Sequence, residues 1–398
     1  MPREWSNWSG SLRFTPGSVE TPADEQELRA LVIQAGEDGR SVRVAGAGRS
    51  STPLAATEHV LVSMEHFQGL VTHDAQENEV TVRAGITLKR AGRIFHDLGL
   101  AMANPGDADP QSLAGAVGTG AHGTGKDLRI LSSHLVGGRM VTGGGPIVAF
   151  DIEDDIEFVN MLRVSLGTLG IFTELRLRLL PAFELERREW CTHIEGCLAH
   201  LDELIEGNRN FDFYWYPRSD EAKLRTLNPP GQGMRDIPYA TLRKETRGYS
   251  HELIPRHRKL KFDEMEYFLP RKAGPECFRE MRRRVRERWR KDAAWRVLYR
   301  TVAADDYHLS PATGRDSATI SLHHKAGLSF KDAFEDIEPI FRHFGGRPHW
   351  AKQHSLRAEE LRPMYPGWEE FLRMRKCLDP DGVLLNPYLR ELLGVSPA

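Results

Sequence analysis

The stretch "VRVAGAGRSS", Val42 to Ser51, is where residue types first allow chemistry. Two glycines separated by one alanine permit a tight turn whose peptide N–H groups converge as an anion-binding nest, because glycine tolerates positive φ. Ala45, Gly46, Ala47, Gly48, Arg49, Ser50 and Ser51 would then wrap a pyrophosphate. A Rossmann turn needs a third glycine and a helix behind it. Here Pro53 and small polar residues follow, so that motif fails on context, and no Lys-Ser/Thr follows to make a P-loop. A second glycine-rich segment runs from Gly115 to Gly125, and a third, "SLGTLGIF", from Ser165 to Phe172. Each abuts a strand pattern, which together favours backbone closing around one flat ligand over three ordinary surface turns.

The elements that would position these turns are legible as periodicity. "TPADEQELRALVIQAG" predicts a helix, with Thr21 as cap, Pro22 at the first position and Asp24 in a capping box; Leu28, Leu31, Val32 and Ala35 share one face. Val42–Ala45, "EHVLVSM" and "NEVTVRAG" predict strands, and "TLKRAGRIFHDLGL" a second helix. Ser112 to Gly125 reads as a loop, and "FTELRLRLLP" as an alternating strand stopped by Pro181, where a domain boundary is placed. In the second half "FDFYWYP" and "DSATISLHH" predict strands, "ECFREMRRRVRERWRK" a basic helix, and residues 218–262 a long loop-rich excursion.

Bulk properties narrow the function. The 398 residues suggest two domains. A formal charge of −2 argues against nucleic acid as partner, and the basic run from Arg282 to Lys291 is read as a solvated helix face because no aromatic but Trp289 interleaves it. No apolar run is long enough to span a bilayer and no secretion signal is visible, so a cytoplasmic location is expected. Cys191, Cys197, Cys277 and Cys377 lack metal spacing; free thiols and no metal site are expected.

The motifs "VAGAGRSS", "GAVGTGAHGTG" and "VSLGTLGIFTELRLRLLP", in this order, resemble the flavin-binding domain of vanillyl-alcohol-oxidase-type flavoproteins. "YRTVAADDYHLSPATGRDSATISLHH", "RPHWAKQH" and "DPDGVLLNPYLRELLG" narrow the resemblance to the sugar-lactone and alditol oxidases: arabinonolactone, gulonolactone and galactonolactone oxidoreductases. It covers residues 10 to 395. It implies an α+β, two-domain, PCMH-type FAD flavoprotein, with an FAD-binding domain over 10–181 and a substrate domain over 182–398 whose C-terminal segment packs back toward the flavin.

The resemblance also implies site residues. The first loop, Ala45 to Ser51, would hold the pyrophosphate; Gly118, Thr119, Gly120, Ala121, His122, Gly123 and Gly125 would follow the isoalloxazine and ribityl; Gly167, Gly170 and Ile171 would meet the adenine end. Arg49 stands where many relatives carry a histidine bonded to the flavin, so FAD is expected to be non-covalent. Lys352 is expected as the cation beside the flavin, Arg300 as the substrate-pocket arginine, and His323, or His324 behind it, as a base; His349 and Trp350 would pack. Leu298 replaces a family glutamate two residues before Arg300, a loss for which Glu266 could compensate.

The implied reaction is hydride transfer from an alcohol C–H of a sugar 1,4-lactone to flavin N5, with oxygen or a redox partner as electron acceptor. The alternatives are an alditol or specialised biosynthetic alcohol as substrate, or a flavin-binding module that has lost catalysis. A nicotinamide dehydrogenase is disfavoured by the missing helix after Gly48.

Overall fold

Asp24, in extended backbone, starts the first long helix, Glu25–Glu37, by accepting the amides of Gln26 and Glu27 on its carboxylate. The cap expected at Thr21 therefore moves to Asp24, because an ionised Asx side chain directly before the first turn satisfies two orphan amides at once. The architecture is a computed structural model describing residues 4–255, 260–290 and 296–396. Leu28, Val32 and Ala35 bury one face of this helix against Val42, Val60 and Val62 of a three-stranded parallel sheet, ordered Ser18–Glu20, Val60–Ser63, Val42–Ala45.

A five-stranded antiparallel sheet follows, ordered Ile147–Asp151, Leu135–Val141, Ile171–Arg178, Glu79–Arg83 and Leu70–Asp74. Leu175 and Leu177 alternate inward, as the sequence pattern predicts. The helix Leu88–Asp97 is capped by the Thr87 hydroxyl. The Ser112–Gly125 segment is not wholly loop: Leu113–Gly118 is a short helix. Its alanines and glycines are small enough to coil tightly against Ile86 and Leu131, and tertiary packing overrides the low helix propensity of glycine.

From Glu184 onward the chain builds one eight-stranded antiparallel sheet. Its order is Thr241–Tyr249, Glu184–His193, Glu221–Asn228, Asn210–Tyr216, Arg296–Val302, Ser317–Lys325, Phe262–Pro270 and Arg347–Pro348. Two of these strands, Glu221–Asn228 and Thr241–Tyr249, fall inside the expected excursion; residues 256–259 of that span lie outside the described residues. Their sequences conceal them because charges replace the usual apolar alternation. Arg225 is buried against Asp212, and Arg188 pairs across strands with Glu245.

The basic helix is Gly274–Arg284, extended by a π turn over Val285–Trp289; Lys291 lies outside the described residues. Its cations meet acids: Arg282 and Arg286 pair with Asp220, Arg284 and Arg288 with Asp336. All four cysteines are free thiols. No helix among the described residues is long and apolar enough to cross a membrane.

The C-terminal segment returns to the first sheet. Val42 N–H donates to Val383 C=O at 2.8 Å, and Asn386 Nδ2 donates to the carbonyls of Pro53 and Ala56 at 2.8 Å each. Arg43 is fully buried in this junction. Its guanidinium donates to the carbonyls of Leu54, Leu166, Gly167 and Leu384, tying the first glycine turn, the third glycine turn and the C-terminal segment together.

Candidate active site

The three glycine turns meet at one cavity of about 470 Å³. Ala45, Gly46, Ala47, Gly48, Arg49, Ser50 and Ser51 all line it, as do Gly118, Thr119, Ala121, His122, Gly167, Gly170 and Ile171. Gly120, Gly123 and Gly125 do not: they lie behind the wall. A Cβ on Gly123 would collide with the Asn104 side chain, and the Gly125 amide donates to Thr301 C=O at 2.8 Å, pinning this loop to the large sheet. Gly123 and Gly125 serve close packing, and Gly120 the φ of +71° that its turn takes.

Gly48 takes φ +63°, which turns the chain back under the N-terminal hairpin. The indole of Trp5 lies beneath Gly48, and Trp8 N–H donates to Gly48 C=O at 2.7 Å. Arg49 lays its guanidinium over the Trp8 ring, 4.2 Å from the centroid, and burial lowers its pKa against the opposing pull of Asp109. Trp5 and Trp8 were not expected at the cavity; nothing local in "REWSNWSG" points there.

The opposite wall is one face of the large sheet. Register places Glu264 and Arg296 on either side of His323, Glu266 and Leu298 on either side of Ser321, and Phe268 and Arg300 on either side of Thr319. Alternation then sends Glu264, Glu266, Leu298, Arg300 and His323 to the cavity, and Met265, Tyr267, Val297, Tyr299, Ile320 and Leu322 to the core behind it. Glu264 went unremarked in the sequence reading, although the period-two pattern of "DEMEYFLP" puts it on the face of Glu266.

Two carboxylate–cation pairs result. Glu264 binds Lys352 Nζ and the Ser321 hydroxyl, and sits 3.1 Å from His323 Nε2. Burial works against its charge, but Lys352 and His323 outweigh burial and hold it well below the usual carboxylate range. Glu266 binds Arg300 Nη2 and lies 3.4 Å from His122 Nε2; here too burial is outweighed, first by Arg300, and the pKa falls well below normal. Arg300 Nη1 also donates to His122 C=O at 3.1 Å. Glu266 Oε2 and Arg300 Nε are buried without a hydrogen-bond partner.

Lys352 reaches this wall from a loop fastened to the first glycine turn. Ser51 N–H donates to Ala351 C=O, the Thr52 hydroxyl to Trp350 C=O, and Gln353 Nε2 to Ser51 C=O, all at 2.7–2.8 Å. Trp350 is fully buried, its indole N–H held by Leu309 C=O. His324, the alternative base, is buried and does not line the cavity.

The donor atoms of His122, Glu266 and His349 lie within 4.8 Å of one another. His349 offers a metal no lone pair: Nδ1 accepts the Ala351 amide at 3.1 Å, so Nε2 carries the proton, and on Glu266 Arg300 already occupies Oε1. The residues fit a flavin dinucleotide better. No acceptor among the described residues takes the amides of Gly46, Ala47, Gly48, Arg49 and Ser50, and a Cβ on Gly46 would run into Ser112. This is unspent donor capacity in a cradle shaped to exclude side chains, as a pyrophosphate requires.

Comparison with known proteins agrees with this geometry. The sequence model "FAD binding domain" matches residues 16–151, and the model of D-arabinono-1,4-lactone oxidase matches 175–238 and 232–392. The chain is 34% identical to L-gulono-1,4-lactone dehydrogenase of Mycobacterium tuberculosis, over 98% of this chain and 99% of that protein. It is 26% identical to L-gulonolactone oxidase of Bos taurus, over 98% of each. The fold superposes on the crystal structure of cholesterol oxidase from B. sterolicum with a TM-score of 0.86 at 16% identity, covering 99% of this chain and 97% of that one. Through both sequence models and a relative aligned from end to end, the chain belongs to the D-arabinono-1,4-lactone oxidase family of FAD-dependent oxidoreductases acting on CH–OH donors.

Proposed function

We propose that this protein oxidises a ring alcohol of a sugar 1,4-lactone of the arabinono-, gulono- or galactono- type. The observation that carries the reading is the pair of carboxylate-braced cations, Lys352 and Arg300, on the cavity face opposite a nest of unspent amides. FAD, when bound, supplies the hydride acceptor. Lys352 keeps a fixed ammonium where negative charge develops, in a site that needs no reorganisation to stabilise it. Arg300, with Nε unspent, orients the substrate oxygen, and Glu266 Oε2 accepts a hydroxyl. Glu266 thereby replaces the carboxylate lost at Leu298, since both positions flank Ser321.

Leu298 presents an apolar side chain to the cavity and favours a second reading, a less polar specialised alcohol. An anaerobic panel of lactones, alditols and hydroxy acids, watched for flavin bleaching, decides between them. Bleaching by lactones is expected; bleaching only by other alcohols overturns the lactone assignment. Admitting air to the bleached sample then tells oxygen from a dedicated redox partner as acceptor. Four free thiols favour a reducing cytosol as the place of work.

FAD is held without a covalent bond, in this reading, because Arg49 occupies the linking position and its guanidinium is engaged with Trp8. Acid precipitation should release all yellow colour to the supernatant; colour retained in the pellet refutes this attachment.

A further inference from the structure

We propose that His122, through Nε2, is the base that accepts the substrate's hydroxyl proton, a role that rests on the alcohol-oxidation reading above.

Hydrogen-bond accounting among the cavity histidines leads there. His323, the expected base, is committed at both nitrogens. Arg296 Nε donates to its Nδ1 at 2.9 Å, so Nε2 carries the proton and gives it to Glu264. His349 Nδ1 accepts the Ala351 amide, which again leaves Nε2 protonated. His122 is the reverse. Its Nδ1 faces Gly123 C=O at 3.0 Å and must be the donor, which leaves the lone pair on Nε2. Arg300 Nη2 donates a long hydrogen bond of 3.4 Å to that lone pair, and Glu266 Oε1, itself bound to Arg300 Nη2, is also 3.4 Å from Nε2. In the resting state two acceptors thus face each other, and a proton arriving at Nε2 would join them.

The groups that set this proton affinity come from every packed element. Glu266 faces it from Phe262–Pro270, Arg300 from Arg296–Val302 and His349, ring centroid 5.7 Å away, from the loop after Arg347–Pro348; Glu264 and Lys352 act on His349 behind them. Phe268 packs edge-on at 4.7 Å and dries the site. Burial and then Arg300 lower the His122 pKa, with Glu266 opposing, so the imidazole is neutral and ready to accept at neutral pH. The step balances. The carbinol C–H leaves as hydride to FAD, the electron pair of the O–H bond becomes the second bond of C=O, and the proton joins Nε2. The imidazolium so formed is neutralised by Glu266.

The test has two arms on the FAD-loaded protein. Nitrogen NMR of isotope-labelled histidine, with the His122 signal assigned by its loss in His122→Gln, should show an Nδ1–H tautomer at rest. Its protonation should fall below the 6.5 of a free imidazole and drop further in Glu266→Gln. In anaerobic mixing, His122→Gln should slow flavin reduction by about 10²–10⁴-fold with FAD still bound. It should also erase the acid limb that the wild type shows as pH falls through the His122 ionisation. An Nε2–H tautomer at rest, or wild-type reduction by His122→Gln, overturns the proposal. A wild-type holoenzyme bleached by no panel compound sinks the substrate reading, whereas bleaching that survives His122→Gln sinks the base alone.

Discussion

Lys352→Met is expected to keep FAD and lose about 10²–10³ in the rate of substrate-driven flavin reduction, the usual consequence of deleting one preorganised electrostatic group. The FAD cradle should survive because the loop carrying Lys352 is fastened to Ser51 and Thr52 through backbone atoms and the Gln353 side chain, not through the ammonium. A second effect follows at Glu264. Without Lys352 its buried carboxylate keeps only His323 and Ser321, and breaking such a pair costs about 3 kcal/mol, the low end for buried pairs because Lys352 is 19% exposed. The pH signature has a definite sign. In the wild type the depressed Glu264 pKa gives stability that is present above the unfolded carboxylate value of 4.5 and lost as pH falls through the folded value. In the variant that loss should begin at higher pH. Lys352→Arg keeps the charge and should recover part of the rate. Stopped-flow reduction together with urea melts across pH checks both effects; reduction at the wild-type rate in Lys352→Met would remove this residue from the mechanism.

Arg43→Met should produce the largest stability loss of any single substitution at the FAD cradle. Replacing a buried ion pair by an apolar residue is often harmless, but among the described residues Arg43 forms no ion pair; it serves four backbone carbonyls. Burial pushes its pKa down to about 10, with Asp379 opposing, so it remains a cation at neutral pH. Methionine would leave the carbonyls of Leu166, Gly167 and Leu384 buried without donors, Leu54 C=O keeping only a long bond from Asn386 Nδ2, at about 3–5 kcal/mol in total. For a chain of 398 residues that corresponds to a fall of roughly 4–6 °C in Tm. Because those carbonyls belong to the segment just after the first glycine turn, to the third glycine turn and to the C-terminal segment, the variant should also fail to gain the thermal stabilisation that added FAD gives the wild type. Melts with and without FAD test this; a variant whose two curves coincide with those of the wild type contradicts the keystone role.

What the amino-acid order alone determined was local. The nest at Ala45–Ser51 follows from glycines whose backbone freedom is intrinsic, and the Leu28–Ala35 face from a helical spacing that needs no partner to be read. The readings that the resemblance hangs on Arg49 and Leu298 were equally local, because each concerns a single residue within a motif. Where charges filled strands, as in Glu221–Asn228 and Thr241–Tyr249, the alternation was hidden, since opposite charges buried across strands look like loop composition until they are paired. The tertiary structure decided which side chains meet. Lys352 finds Glu264 88 residues away and Arg43 finds Leu384 341 residues away, and only sheet register and chain return set those meetings. Register likewise brought Glu266 to Arg300 and spent both nitrogens of His323, while the loop carrying His122 leaves its Nε2 as an acceptor that only the long bond from Arg300 engages. Spacing along the chain fixes how a segment coils; the proton and charge inventory of a cavity depends on strands whose neighbours lie elsewhere in the sequence.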